Sequence, residues 1–529
     1  MRKKNRGLIA TAVLAVGIVA GSTATVSAEP KHGGTLNMIY RVIGAHFNPT
    51  IVSGTPTGIA ATQMFSSLTR VDKEWKVHPL LAQSWTTSDD GKKITLNLVK
   101  NAVFHDGHPL TSEDVKFSLE TYKAQHPFKP MYAPVESIDT PDDHTVVLNL
   151  SRPHPAIMIA MSGQLGAVIP KHVYSEGNIR KNPRNSNDIV GSGPFKLKEF
   201  KPGEYIILER FDKYFREGKP YLDKIVYKRI KELNSRIIAL ENKKADLAPF
   251  SSDPTEFLRY KKQPHLTMTP GGYAGIGAQT WLAFNTENKH FKDKRVRQAM
   301  AYAIDKNFIQ KAIYRGFATR STGPIHPGST FYSADVNPYT IDLKKAAALL
   351  DEAGYKPNAD GIRFETNMHV ILYVGTYKLT ADYIKAQLKK IGVAVTIKAL
   401  PDIRAWIKVV SNHNFDMTLD VLFNWGDPVI GVHRTYQTSN IKKGIPWSNT
   451  QKYKNAELDK MMEAAGAETD VAKRIEMYKG IQKMIVDDAP IAYLNAQPYH
   501  TIYNHERVGN PPIDTIWGVN YSWDEVYIK

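Results

Sequence analysis

The chain of 529 residues contains no cysteine. Disulfides cannot brace it, so its stability has to come from buried apolar cores. A lipid anchor attached through cysteine is excluded for the same reason. Also missing is a second long apolar run. Residues 8–20 are almost continuously apolar, but the run is shorter than the roughly 20 residues needed to cross a bilayer, and nothing like it follows. Arg2, Lys3, Lys4 and Arg6 precede the run, and Val26-Ser27-Ala28 comes after it. A positive start, a short apolar stretch and a small-x-small site are the layout of a secretory signal peptide. Residues 1–28 are therefore expected to be cleaved near Ala28, leaving an exported protein with no membrane anchor that begins near Glu29. The periplasm of a Gram-negative bacterium is the expected compartment.

The signatures of several enzyme classes are absent as well. There is no G-x-S-x-G elbow, no H-E-x-x-H helix, no Walker A loop and no G-x-G-x-x-G after a strand. Ser439-x-x-Lys442 stands without the K-T-G that accompanies S-x-x-K in penicillin-interacting enzymes, and a lysine-rich chain of this length produces such a match by chance. His105 and His108 flank Asp106-Gly107, and imidazole suits Zn, Cu and Ni. Gly107 and Pro109 read more simply as a turn ahead of a helix starting near Thr111. The expectation is no catalysis, no metal and no cofactor.

What is present is a basic chain of ordinary composition. Apolar residues make up 42% and charged residues 23%, and the formal charge is +17. Four of the positive side chains and none of the acids lie in residues 1–28, so +13 remains afterwards. The lysines and arginines are spread along the chain, without a basic helix or an aromatic RNA-binding motif, so a nucleic-acid partner is not expected. About 500 residues exceed what one core supports, roughly 250–300, and two or three domains are expected.

Strand and helix patterns alternate. Ile94, Leu96 and Leu98 alternate with Thr95 and Asn97, and similar short strands are expected at Thr145–Leu150, around Ile206 and Leu208, and at Ile225 and Tyr227. Thr111 or Ser112 can cap a helix carrying Val115, Leu119 and Tyr122 on one face. Helical stripes follow at Val296–Ile304, at Leu343, Ala346, Ala347 and Leu350 closed by Gly354, and at Leu379, Tyr383, Leu388 and Ile391 ended by Gly392. Two more are Leu458, Met461, Met462 and Ala465, and Val471, Ile475, Tyr478, Ile481 and Ile485. Each stripe reads as core packing, and the interleaving argues for an α/β architecture. Gly/Pro-rich breaks stand at Gly191-Ser192-Gly193-Pro194, from Pro270 to Gly277, and at Asp488-Ala489-Pro490.

Several stretches together resemble one family. Pro79-Leu80-Leu81-Ala82-Gln83-Ser84-Trp85 is followed by Asp90-Gly91 and then by Val103-Phe104-His105-Asp106-Gly107-His108-Pro109-Leu110-Thr111. Val190-Gly191-Ser192-Gly193-Pro194-Phe195, Phe284-Asn285-Thr286, the segment Phe291 to Ala299, and the helix end Ala347 to Tyr355 continue the match over nearly the whole mature chain. The pattern is similar to the family 5 extracellular solute-binding proteins, the group of dipeptide-, oligopeptide- and nickel-binding proteins. The resemblance implies a two-lobed periplasmic-binding-protein fold, type II and cluster C-like, with an extra subdomain and two hinge crossings. Lobe I would comprise 29–67, 191–275 and 491–529, the subdomain 68–190 and lobe II 276–490, with crossings near 269–280 and 489–495. It also implies the substrate-binding component of an ABC importer, partnered by permease transmembrane subunits with their cytoplasmic ATPases. A monomer is expected for a protein that docks on a permease. The solute would be peptide-like, with an opine, an oligosaccharide or a nickel chelate open within the same role. A periplasmic hydrolase would need a nucleophile–base pair or a metal site.

Such proteins hold ligand between the lobes, so site residues should come from both. In peptide-binding relatives a loop of lobe II supplies an acid to the peptide ammonium. The corresponding stretch here is Leu419 to Pro428, and aligning Asp427-Pro428 with the family's D-P places Asn424 at the acid's position. A neutral amide cannot neutralise an ammonium. Either the site departs from peptide chemistry or Asp427 itself is the anchor, its other role being to cap the turn at Pro428. Trp425 would stack on the ligand or fill interlobe core. Tyr373 and Thr376 are the further lobe II candidates; Ser53, Gly54 and Thr55, and Tyr273 near the hinge, are the candidates opposite.

Overall fold

The computed structural model describes residues 30–371 and 375–529, so the expected signal peptide and Tyr373 lie outside the described residues. Three sheets organise the chain. The seven-stranded sheet runs in the order Leu266–Thr269, His500–Asn504, Leu247–Ser251, Thr35–Tyr40, Lys224–Arg229, Tyr205–Arg210 and Phe195–Lys201. The six-stranded sheet runs Thr319–Arg320, Ile491–Ala496, Ala278–Phe284, Met417–Phe423, Phe364–Ile371 and Val393–Leu400. A four-stranded sheet, Ala82–Thr87, Lys93–Leu98, Thr145–Leu150 and Val135–Asp142, forms a subdomain. The strands expected from alternation are all present, and in Lys93–Leu98 it is Ile94, Leu96 and Leu98 that are buried. The α/β class and the two-lobed binding-protein fold follow from this arrangement.

Local chemistry explains the helix boundaries. Asp114 accepts the Thr111 N–H (2.9 Å) and hydroxyl (3.2 Å), fastening the start of Ser112–Gln125. Gly354 takes φ 86° just after Leu343–Glu352, the left-handed stop that its position suggested. Two stripes each leave one expected residue outside the core, while Tyr478, Ile481 and Ile485 of the last helix are buried as expected. Leu379 is 55% exposed and Val471 63% exposed. In Gly375–Lys389 the buried face is Tyr377, Ala381, Ile384 and Leu388, because the helix packs on Phe364–Ile371 and Val393–Leu400 along that line. Val471 lies at the first turn of Val471–Asp488, beyond the reach of the core. Among the described residues, no helix is long and apolar enough to cross a membrane.

The chain passes between the two large sheets twice. It leaves Leu266–Thr269 and enters Ala278–Phe284, within the expected crossing. It returns from Ile491–Ala496 to His500–Asn504, later than expected. Ile491–Ala496 still pairs with Ala278–Phe284, so residues 497–499 make the return. The break at Asp488-Ala489-Pro490 instead ends the preceding helix, with Ala489 left-handed at φ 47°.

Each large sheet has its own apolar core. The core of the seven-stranded sheet continues into the subdomain and also takes in Ile276, Trp425 and Ile430. Phe423 and Tyr499 pack against both cores, and so mark the junction of the lobes. The Gly191–Gly193 break owes its glycines to close approach rather than to an unusual φ. A Cβ on Gly191 would lie 2.0 Å from the Met64 carbonyl oxygen, and one on Gly193 would lie 2.4 Å from that of Gln63. Gly191→Ala is expected to cost about 1–3 kcal/mol through overpacking. Gly323→Ala, which meets only ordinary contacts, should change stability by less than about 1 kcal/mol. Urea unfolding of the two variants checks both.

Candidate functional site

The turn after Met417–Phe423 carries three of the expected residues, and the structure gives each a defined role. Trp425 has φ 54° and Gly426 φ 81°. This reversal drives the Trp425 indole away from its own sheet into the opposite core, where it is 4% exposed. Its ring lies 5.2 Å from Phe128 of the subdomain and 6.4 Å from Trp517 of lobe I. Trp517 is held by its indole N–H, which donates to Ser162 Oγ (2.8 Å). Gly426 leaves no room for a side chain, since a Cβ would stand 2.9 Å from Ile159 and 3.0 Å from Trp517.

Asn424 is fully engaged within the protein. Its Oδ1 accepts the His326 N–H (2.7 Å), its Nδ2 donates to the Pro324 carbonyl (3.0 Å), and its backbone N–H donates to Ile276 (3.0 Å). It ties the 324–326 segment to the hinge. Asp427 is likewise committed. Both carboxylate oxygens take Arg474 in a bidentate pair (2.6 Å each), and Oδ1 also accepts the Val429 N–H (3.0 Å) at the start of Pro428–Tyr436. The Arg474 guanidinium holds the Asp427 carboxyl below the usual carboxylate range against the opposing effect of burial. This geometry does not offer Asp427 as a ligand anchor: an incoming ammonium would have to displace Arg474. The capping role is the one the structure contains.

The remaining candidates meet along an aromatic seam. Thr55 Oγ1 approaches the Tyr40 hydroxyl (3.5 Å), and Tyr40 packs 6.0 Å from Phe250. Phe250 lies 4.8 Å from Tyr273 and 5.2 Å from Tyr499. The Tyr273 hydroxyl accepts the Phe250 N–H (3.0 Å) and bonds Thr501 Oγ1 (2.7 Å), so Tyr273 braces the hinge from within. Ser53, Gly54 and Thr55 remain partly exposed beside the start of Thr55–Met64. From lobe II, Thr376 is buried at the start of Gly375–Lys389, and its neighbour Tyr377 reaches Gln497 on the return crossing (3.4 Å). Gln497 also bonds Thr280 Oγ1 (2.5 Å) on the first crossing. Loop 53–55, the two crossings and the start of this helix therefore form one connected junction.

Sequence reasoning missed Phe128, Phe250, Trp517, Tyr499, Gln497, His126 and Arg434. The last had a visible signal. His433-Arg434 follows the apolar run Pro428-Val429-Ile430-Gly431-Val432, and both lie in a helix of which all but Val429 is buried. Away from the junction, Asp106, His108 and His172 bring their ligand atoms within 4.8 Å of one another on the exposed surface of the subdomain. The Asp106 carboxylate contacts both imidazoles, at 3.2 Å for His108 and 2.8 Å for His172.

Two open sheets joined by paired crossings, with a polar and aromatic junction between them, define a two-lobed binding protein of the periplasmic type. The chain belongs to the bacterial extracellular solute-binding proteins, family 5, whose middle region matches residues 76–449. It is 30% identical over 502 residues to the oligopeptide-binding protein AppA of Bacillus subtilis (strain 168), covering 90% of this chain and 88% of that protein. The solved structure of Bacillus subtilis AppA in complex with a nonapeptide superposes with a TM-score of 0.81 at 26% identity, covering 95% of this chain and all of that one. The structure of AgaA from A. tumefaciens R10 in complex with agropinic acid gives 0.80 at 25% identity, covering 94% and 99%.

Removing the Asp427 carboxylate strands Arg474 in a buried site, so Asp427→Ala should destabilise the ligand-free protein by about 3–5 kcal/mol, measured by urea unfolding. Asp420, in mid-strand opposite Trp281, behaves differently. Its Oδ2 is buried without a partner, and burial pushes its carboxyl up to about 8. Here the unfolded chain releases a proton that the folded chain retains, so Asp420 lowers stability progressively as pH rises from about 4 toward 8. The stability of Asp420→Asn relative to the native protein is expected to grow over that window. Urea midpoints at pH 5 and pH 8 decide it, and a difference that does not change with pH would contradict the assignment.

Proposed function

We propose that this chain captures a peptide or peptide-like solute between its lobes and delivers it to the permease of an ABC importer. Family membership makes it a solute-binding transport component, and the permease with its ATPase is the partner that membership implies. The observation that carries the reading is the junction itself. Phe423 and Tyr499 pack on both cores, and polar and aromatic side chains from both lobes converge around the crossings. A solute placed there touches both lobes, which is what stabilises a closed state over an open one. The peptide assignment is supported by a relative named as oligopeptide-binding and by an AppA structure that holds a nonapeptide.

In this reading Ser53, Gly54 and Thr55 face the solute from lobe I and Thr376 faces it from lobe II, while Tyr373, outside the described residues, stays the further lobe II candidate. Trp425 is a wall fixed by Phe128 and Trp517. Tyr273, Asn424 and Asp427 position the hinge and the turn and make no direct contact. Lobe I then comprises 29–67, 191–275 and the chain from 497 onward, with 68–190 as its subdomain and 276–496 as lobe II. The mature protein works as a monomer in the periplasm of a Gram-negative bacterium, its signal peptide removed near Ala28.

The test is mass spectrometry of whatever co-purifies and is released on mild unfolding, with thermal shifts for di- to pentapeptides, opines and nickel chelates. A released or strongly stabilising peptide, with a fall in radius of gyration by solution scattering, is the expected result. If peptides leave the melting point unchanged while an opine or chelate raises it, the peptide assignment is lost and the importer role stands.

A further inference from the structure

The junction contains a buried cation with no counter-ion. Arg434 stands on Pro428–Tyr436, nine residues beyond Trp425, and is 5% exposed. It makes no ion pair within the described residues, and its Nε–H is buried without an acceptor. The side chain reaches across the junction, where its guanidinium sits 4.1 Å from the centroid of the Phe128 ring in the subdomain. A cation–π contact recovers only part of what ionic hydration supplied. Arg474 is the internal comparison. It is equally buried and belongs to the same lobe, but it has Asp427 as a bidentate partner.

A second orphan donor lies beside it. His126 Nδ1 accepts the Phe128 N–H (3.0 Å), which puts the ring proton on Nε2. His126 Nε2 is buried with no acceptor in hydrogen-bonding geometry, although the Val52 carbonyl is near enough to favour its protonation. Burial first, and the Arg434 charge second, hold this imidazole neutral, so a neutral ring offers its N–H next to a bare guanidinium. The nearby Arg180 is spent on carbonyl and amide oxygens, those of Gln125 and the carbonyl of Ile51. The loop leading to Ser53, the 126–128 segment of the subdomain and the lobe II helix thus bring together two buried donors, Arg434 Nε–H and His126 Nε2–H, and among the described residues no ion pair reaches Arg434.

We propose that Arg434 and the His126 Nε2–H receive an anionic oxygen group of the solute, a carboxylate, which makes this protein selective for acidic solutes or for peptides through a free carboxylate. The proposal rests on the reading of the junction as the solute site. It assigns the solute anion a second task. Closing the lobes without it buries an uncompensated guanidinium, so the empty protein favours the open state. A carboxylate that enters removes that penalty and draws the lobes together.

The experiment compares the native protein with Arg434→Gln and Arg434→Lys. Titration calorimetry uses matched peptides with free and amidated C-termini, and thermal shifts use succinate against chloride at equal ionic strength. Native protein should prefer the acids, and succinate should raise its melting point. Arg434→Gln should lose about tenfold or more in affinity for the acids, as expected for a charge-assisted bond, with less than about a twofold change for amides. Its ligand-free melting point should equal or exceed the native one, where an arginine with only a structural role would leave it lower. Arg434→Lys should retain part of the preference for acids. Equal responses of native protein and Arg434→Gln to succinate, or no response by either, would overturn the proposal. Binding of amidated peptides with undiminished affinity would overturn it while sustaining the peptide reading. A response to succinate without any peptide binding would sustain the anion site and remove the peptide reading.

Discussion

Three backbone segments are clamped together at the centre of this protein, and the relation of the lobes depends on that clamp. The hinge segment around Gly272–Gly277 lies between the 515–518 loop of lobe I and the Asn424–Gly426 turn of lobe II. Gly275 N–H donates to Ile516 (2.9 Å), Gly518 N–H donates to Gly272, and on the other side Asn424 N–H donates to Ile276 (3.0 Å) and Gly426 N–H to Gly275 (2.5 Å). Backbones approach this closely only where side chains are missing. A Cβ on Gly275 would lie 2.8 Å from Ile516, and one on Gly518 would lie 2.4 Å from Tyr273. Gly272 and Gly277 in addition take φ 87° and 56°. The glycines thus supply contact distance as much as flexibility. Because the clamp is made of main-chain bonds between glycine-rich segments, the side chains around it take no part in those bonds and are free to specialise.

That separation is visible in the polar groups around the turn. Asn424 and Asp427 face inward to hold the clamp and the following helix, and their hydrogen-bonding capacity is used up. Trp425, turned out of its own sheet by a left-handed backbone, gives the opposite lobe an apolar surface on which to rest. The four-residue turn therefore does mechanical work, holding the hinge segment through Asn424 and the following helix through Asp427.

Much of the fold was legible because its determinants are local. Alternation in Ile94–Leu98, the Thr111–Asp114 cap and the left-handed stop at Gly354 each depend on a few neighbouring residues. Leu379 is exposed because the partner sheet selects the Tyr377, Ala381, Ile384 face of its helix, and Val471 because it stands at the first turn, ahead of the part of its helix that meets the core. The second crossing was displaced because Pro490 can end a helix or interrupt a strand, and only the pairing with Ala278–Phe284 distinguishes them. The site was less legible for a related reason. Asp427 looks like an anchor in sequence, being an acid in the expected loop, but its partner Arg474 lies 47 residues later on another helix. Arg434 and His126 stand 308 residues apart, and what unites them is a buried N–H, Nε of one and Nε2 of the other, without an acceptor in hydrogen-bonding geometry, which no local pattern encodes.

Charge then acts at two ranges in this molecule, and the two do different work. Residues 29–529 carry a formal +13, spread along the sequence. Such a field attracts anions from a distance, but salt screens it within about 8 Å at physiological ionic strength, and it distinguishes poorly between one anion and another. Discrimination requires a donor in a place where water cannot substitute for the ligand. Arg474 is in such a place and is already satisfied, so it contributes rigidity. Arg434 is in such a place and is not, so the free energy of its burial is left for a ligand to change. A surface charge biases which solutes arrive, and a buried unpaired one decides which of them can close the lobes.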